Sequence, residues 1–229
     1  MLTSASALQF APEVKSELCE LPHRPTKDIA SLFERPVITG ASVSADKNSL
    51  SPGKKLSQRL AFQANVRTIA RGGQPGYELI KQIQGNDLND RSVVIAVDFF
   101  FWDSFLRNPS RSLAALTRLS SWTGSLGIPL ILREIPELIS DRQPSRKELN
   151  TAIHAEASQN PSVFVMPFDR LHRRYLRDGF LIIQGGLCTL RDLLPDGLHL
   201  SNVAGEYLAD VLEATINGDT LPFDTDFNL

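Results

Sequence analysis

The sequence predicts a three-layer α/β/α domain built on a five-stranded parallel sheet, and three observations predict it. Five short apolar runs alternate with helix-patterned segments, the order that produces a parallel sheet covered on both faces. One run, Val93-Val94-Ile95-Ala96-Val97, is apolar without a break, as in a strand buried on both sides. Size and composition are the third: 229 residues with 42% hydrophobic and 22% charged side chains suit one globular core.

Each element has its own signal. Pro36-Val37-Ile38-Thr39-Gly40 is short, β-branched and closed by glycine, which predicts the first strand. Ser51-Pro52-Gly53 is a turn, and residues 54–62 have helical spacing in Leu56, Leu60 and Ala61. Asn65-Val66-Arg67-Thr68-Ile69 predicts the second strand; a glycine-rich loop, 72–76, then leads into a helix over 77–83. After the third strand, 93–97, residues 113–126 read as a helix ending at Gly127. Ile128-Pro129-Leu130-Ile131-Leu132 predicts the fourth strand, with its proline near the start, where it is tolerated. A helix over 146–158, a fifth strand at Val163-Phe164-Val165-Met166, a basic amphipathic segment over 171–177 and a last helix over 201–216 complete the alternation. Residues 179–195 break the pattern and predict a hairpin or ordered loop inserted before the last helix. The division expected is an N-terminal extension over 1–34, the sheet domain over 35–217 and a surface tail over 218–229.

Composition excludes several classes of partner. The 24 basic and 26 acidic side chains give a net charge of −2, which leaves no basic excess to grip a nucleic-acid backbone. The longest apolar stretch, 93–102, contains Asp98 and is far below the roughly 18 residues of a membrane span. Two cysteines exclude a disulfide-dense scaffold and a cysteine-built zinc site. Cys19 and Cys188 either pair in an exported protein or remain buried thiols. Ala5-Ser6-Ala7 fits the small-residue pattern of a signal cleavage site and tilts the expectation toward export over a cytoplasmic location. His23, His154 and His172 lack metal-ligand spacing, and Asp224-Thr225-Asp226 lacks the glycine and distal glutamate of a calcium loop. No glycine-rich stretch has P-loop or dinucleotide spacing, so neither metal nor organic cofactor is expected. Arg170, Arg173, Arg174 and Arg177 read as a solvated helix face.

In such a sheet, ligands bind beyond the carboxyl ends of the strands, so the chemistry is sought in the residues that follow each one. Asp196 and His199 lie three apart in a turn just before the last helix. A carboxylate folded back onto one ring nitrogen fixes the tautomer and leaves the other nitrogen as a general base. Ser42, on the tight turn after the first strand, is placed to be the nucleophile that such a base activates. Singly, each feature has a structural explanation: a helix cap, an Asp-Gly turn, a buried histidine. Together, in this chain order, they favour catalysis.

The arrangement resembles the SGNH, or GDSL, hydrolase family from about residue 36 to about 212. Val37-Ile38-Thr39-Gly40-Ala41-Ser42 is similar to its first block, with Ala41 where the family has Asp. Ala70-Arg71-Gly72-Gly73 is similar to the second, and Gly73, with Gly72 as the alternative, aligns with the backbone oxyanion donor. Asp196-Gly197-Leu198-His199 and the following residues through Gly205 resemble the fifth block. The third block departs. Its Asn, an oxyanion donor, aligns with Phe100 in Asp98-Phe99-Phe100-Phe101, and losing one such donor costs about 3–4 kcal/mol of transition-state stabilisation.

The resemblance implies a flavodoxin-like sheet and a serine ester hydrolase with Ser42, His199 and Asp196 as the triad and the N–H groups of Ser42 and Gly73 as the oxyanion hole. Asp98, Phe100 and Trp102 are the candidate substrate wall, and the Trp102 indole is one candidate replacement for the missing Asn. The expected substrate is an acyl ester of a carbohydrate, a lipid or a small alcohol. The alternative is an adapted relative that binds a glycan or partner in the same cleft. An α/β-hydrolase is disfavoured, because its acid normally precedes the histidine by far more than three residues.

Overall fold

The computed structural model describes residues 27–139, 141–219 and 221. The expectations for Ala5-Ser6-Ala7, Cys19, His23 and Asp224-Thr225-Asp226 lie outside the described residues. The elements are, in order, α1 (Lys27–Leu32), β1 (Pro36–Gly40), α2 (Pro52–Arg59), β2 (Arg67–Ala70), α3 (Gly76–Leu79), β3 (Val93–Ala96), α4 (Ser110–Ser125), β4 (Leu130–Arg133), α5 (Arg146–Gln159), β5 (Val163–Met166), α6 (Phe168–Asp178), β6 (Leu181–Ile183), β7 (Gly186–Cys188), α7 (Leu190–Leu193) and α8 (Asn202–Asn217).

β1 to β5 form one all-parallel sheet in the order β2-β1-β3-β4-β5, and β6 and β7 pair as a separate antiparallel hairpin. Alternate side chains divide the core in two, as the period of a strand requires. Ile38, Ile95 and Ile131 face a layer made by α1, α2, α6, the hairpin and α8. Val37, Val94, Leu130 and Leu132 face α3, α4 and α5. Each fully buried Ile or Leu here contributes about 1.5–3 kcal/mol through removal of apolar surface from water. Ile29 and Phe33 are fully buried in the first layer, so the segment before β1 already contributes to the core from Ile29. Among the described residues, no helix is long and apolar enough to cross a membrane.

Where element bounds differ from the sequence expectation, hydrogen bonding accounts for it. β4 begins at Leu130, whose N–H bonds Ser162, because Pro129 has no N–H to give the ladder. It then runs on to Arg133, paired with Met166. β2 starts at Arg67, after a 3₁₀ turn over Gln63–Asn65, and its exposed N-terminal half marks it as an edge strand. The helix expected over 77–83 is regular only to Leu79. The chain then turns into a capping box in which Gln84 and Asp87 satisfy each other's backbone N–H groups.

The sheet order reverses direction between β1 and β3: β1 connects outward to β2, and the chain then returns to the far side of β1. A crevice opens at the carboxyl ends of strands at such a switch point. Ser42 follows β1 and Asp98 follows β3, so both lie at this crevice.

Candidate active site

The turn after β1 is held from below. The Asp98 carboxylate, 3% exposed, accepts the Val43 N–H at 2.8 Å, the Ser44 N–H at 3.3 Å and the Ser44 hydroxyl at 2.5 Å. As a candidate substrate wall, Asp98 would keep its carboxylate oxygens free for the substrate. Its oxygens are instead committed to the turn that presents Ser42. Gly40 permits the close approach: a Cβ built on it would lie 2.1 Å from Asp98 Oδ1 and 2.4 Å from Ser44 Oγ, at a φ of +153°. Gly40→Ala is therefore expected to destabilise the fold by about 3 kcal/mol, through overpacking and backbone strain together, as measured by urea unfolding.

Ser42 Oγ lies 2.9 Å from His199 Nε2, across 157 positions of sequence, and His199 Nδ1 lies 2.6 Å from Asp196 Oδ2. Ser42 and His199 are both buried. Asp196 also accepts the backbone N–H groups of His199 at 2.7 Å and Leu198 at 3.1 Å, and the Asn48 side-chain amide at 3.2 Å. These donors, the His199 N–H foremost and then its ring, hold the Asp196 carboxyl well below the usual carboxylate range. An ionised carboxylate only accepts, so Nδ1 is the ring nitrogen that donates to Asp196, and an imidazole carrying that one proton offers a bare Nε2 to the Ser42 hydroxyl. The loop is anchored at both ends. Gly197 N–H bonds Leu194 and Ser201 N–H bonds Leu193, while the Ser201 hydroxyl caps α8 by accepting the Ala204 N–H.

Three backbone N–H groups beside Ser42 have no hydrogen-bond acceptor among the described residues: those of Ser42, Gly72 and Gly73. Gly72 lies against Ser42, with its Cβ position 3.7 Å from Ser42 Cβ, whereas the corresponding space at Gly73 is open. The next turn is fixed by Asp103, which accepts the Gly76 and Tyr77 N–H groups and whose carboxyl is pushed up by burial.

The wall differs from the expectation. The cleft at Ser42 is bounded by Asp98, Phe101, Arg133, Leu138, Phe168 and leucines of the His199 loop. Phe101, rather than Phe100 or Trp102, faces it. Phe99 and Phe100 are buried and stack edge-on at 4.9 Å, because the chain turns tightly after β3 and drives both rings into the second core layer. The Trp102 indole N–H is buried without an acceptor and packs with Phe101 and Phe105. Sequence reasoning missed Asn48 and Arg133. Asn48 sits at a positive φ of 68°, which asparagine tolerates, and an isolated Asn in a loop gives no further signal. Arg133 directly follows an apolar strand, and that position was the available signal.

No family model matches the chain, and no curated protein matches it. Among solved structures, it is similar to the psychrotrophic esterase EstA from Pseudoalteromonas sp., with 16% identity over 81% of this chain and 97% of that one and a TM-score of 0.55. It is also similar to a GDSL-like lipase from Bacteroides thetaiotaomicron, at 17% identity over 86% and 90% with a TM-score of 0.52. A third, described as a candidate SGNH hydrolase from Slackia heliotrinireducens, aligns at 16% identity over 80% and 98% with a TM-score of 0.54. With its five parallel strands in the order β2-β1-β3-β4-β5 and helices on both faces, the chain has the fold of the SGNH (GDSL) hydrolases.

Proposed function

We propose that the protein is a serine ester hydrolase acting through Ser42, His199 and Asp196. The observation that carries this reading is the continuous hydrogen-bonded line from Ser42 Oγ through both ring nitrogens of His199 to Asp196, at the carboxyl end of the sheet. Ser42 Oγ attacks the ester carbonyl as its proton passes to His199 Nε2. Asp196 keeps the ring in register and stabilises the imidazolium that forms. The tetrahedral oxyanion is held by the Ser42 N–H and by the N–H of Gly73 or Gly72. On collapse, His199 returns the proton to the departing alcohol. Water, deprotonated by the same nitrogen, then releases the acid and restores Ser42.

With Phe100 in place of the Asn, the hole has one donor fewer than the resemblance implies, so turnover is expected to be slow. A fluorophosphonate probe tests the nucleophile directly. The expected result is a single adduct mapped by peptide mass to Ser42, together with turnover of p-nitrophenyl acetate. An adduct on another residue, with no turnover, overturns the reading.

A further inference from the structure

Arg133 ends β4 in the wall of the cleft that opens at Ser42 and is 8% exposed. Its guanidinium lies over the Phe168 ring, 4.4 Å from the centroid, and makes no hydrogen bond or ion pair with a described residue. The fold treats its other deeply buried arginine differently: Arg146 is paired with both Asp169 and Glu137 at 2.8 Å. The carboxylates near Arg133 are already engaged. Asp98 holds the Ser42 turn and acts on Arg133 only through space, and Glu134 bonds His154 and the Arg170 side chain. Desolvation lowers Arg133 to about 10, the mark of a charge taken out of water and left uncompensated by hydrogen bonds. A buried cation is costly unless paired, and this one lines the cleft that opens at Ser42.

Resting on the ester-hydrolase reading, we infer that the acyl group of the substrate carries a carboxylate that Arg133 holds, joined to the ester by a short apolar spacer. A single charge fits: among the described residues Arg133 is the one cation lining the cleft, Asp98 nearby repels a second negative charge, and apart from Ser42 the remaining walls are apolar. A planar carboxylate also matches the two-pronged guanidinium. The acyl side is the one assigned, because the part of the substrate that stays on Ser42 through the first half-reaction is the part held beside the Arg133 wall. The alcohol has to leave. The substrate class is thus the half-ester of a short dicarboxylic acid.

The test compares mono-p-nitrophenyl glutarate with p-nitrophenyl 5-methylhexanoate, which replaces the carboxylate by an isopropyl group of the same shape. The uncatalysed background of each ester is subtracted. Wild type is expected to favour the glutarate by about tenfold or more in kcat/KM, the worth of a charge-assisted hydrogen bond. Arg133→Gln is expected to bring the ratio to about one. Equal rates or a preference for the neutral ester in wild type overturn the inference, and that comparison needs no variant to fold. A loss in Arg133→Gln that is the same for both esters also overturns it, since that marks an oxyanion donor. Calorimetric titration with glutarate separates this inference from the reading beneath it. Glutarate binding lost in Arg133→Gln, in a protein that hydrolyses no ester, upholds the anion site and sinks the hydrolase. Hydrolysis of neutral esters without glutarate binding does the reverse.

Discussion

Ser42→Ala is expected to lower kcat for p-nitrophenyl acetate by about 10⁴-fold or more, with the fold and its melting temperature little changed. Among the described residues, the Ser42 hydroxyl is the one hydrogen-bond partner of His199 Nε2. Without it the imidazole can still activate water, and the backbone N–H groups can still meet an oxyanion, so a small residual rate is expected. His199→Ala should cost a similar factor, and the double variant little more than either single one, because the two act as one unit. A double variant whose losses multiply would mean that Ser42 and His199 act independently, and the triad reading would fail.

Asp98→Ala is expected to cost about 3–5 kcal/mol of unfolding free energy. The change leaves two buried backbone N–H groups without their acceptor and the Ser44 hydroxyl with the Thr39 carbonyl at 3.1 Å in place of a carboxylate. It also removes the negative charge whose field sustains the buried Arg133 guanidinium. Urea unfolding followed by circular dichroism measures the loss, and an unchanged midpoint would show that the carboxylate does not hold the turn. Since the same turn aims Ser42, the fraction that remains folded should show a lower kcat with a smaller change in KM. Asp98→Asn should fall between, because an amide retains one acceptor but turns its NH₂ toward donors.

The strands at 36–40 and 163–166 were legible to the residue, because an apolar run closed by glycine or proline reports both burial and its limits. The Asp196–His199 contact was equally legible, being local: three residues in a turn bring the carboxylate onto the ring whatever surrounds them. The aromatic run was not. Asp98-Phe99-Phe100-Phe101 allows any of its rings to face the cleft, and only the turn after β3 decides that Phe101 does. Arg133 was passed over because its meaning lies in what is missing around it, and a sequence does not show which acidic side chains are already in use.

By itself, then, the sequence determined the chain order of strands and helices, the buried faces and the end of the sheet at which the crevice opens. Those properties follow from periodicity and from contacts a few residues long. The tertiary structure alone decided that Ser42 meets His199 from 157 positions away, that Asp98 holds the turn carrying Ser42, and that the Arg133 guanidinium lines the cleft without an acidic partner among the described residues. The physical reason is that hydrophobic periodicity encodes how deeply a residue is buried, whereas pairing depends on which elements the sheet order brings side by side. Hydrogen-bond and charge satisfaction can be reckoned only once every neighbour is in place.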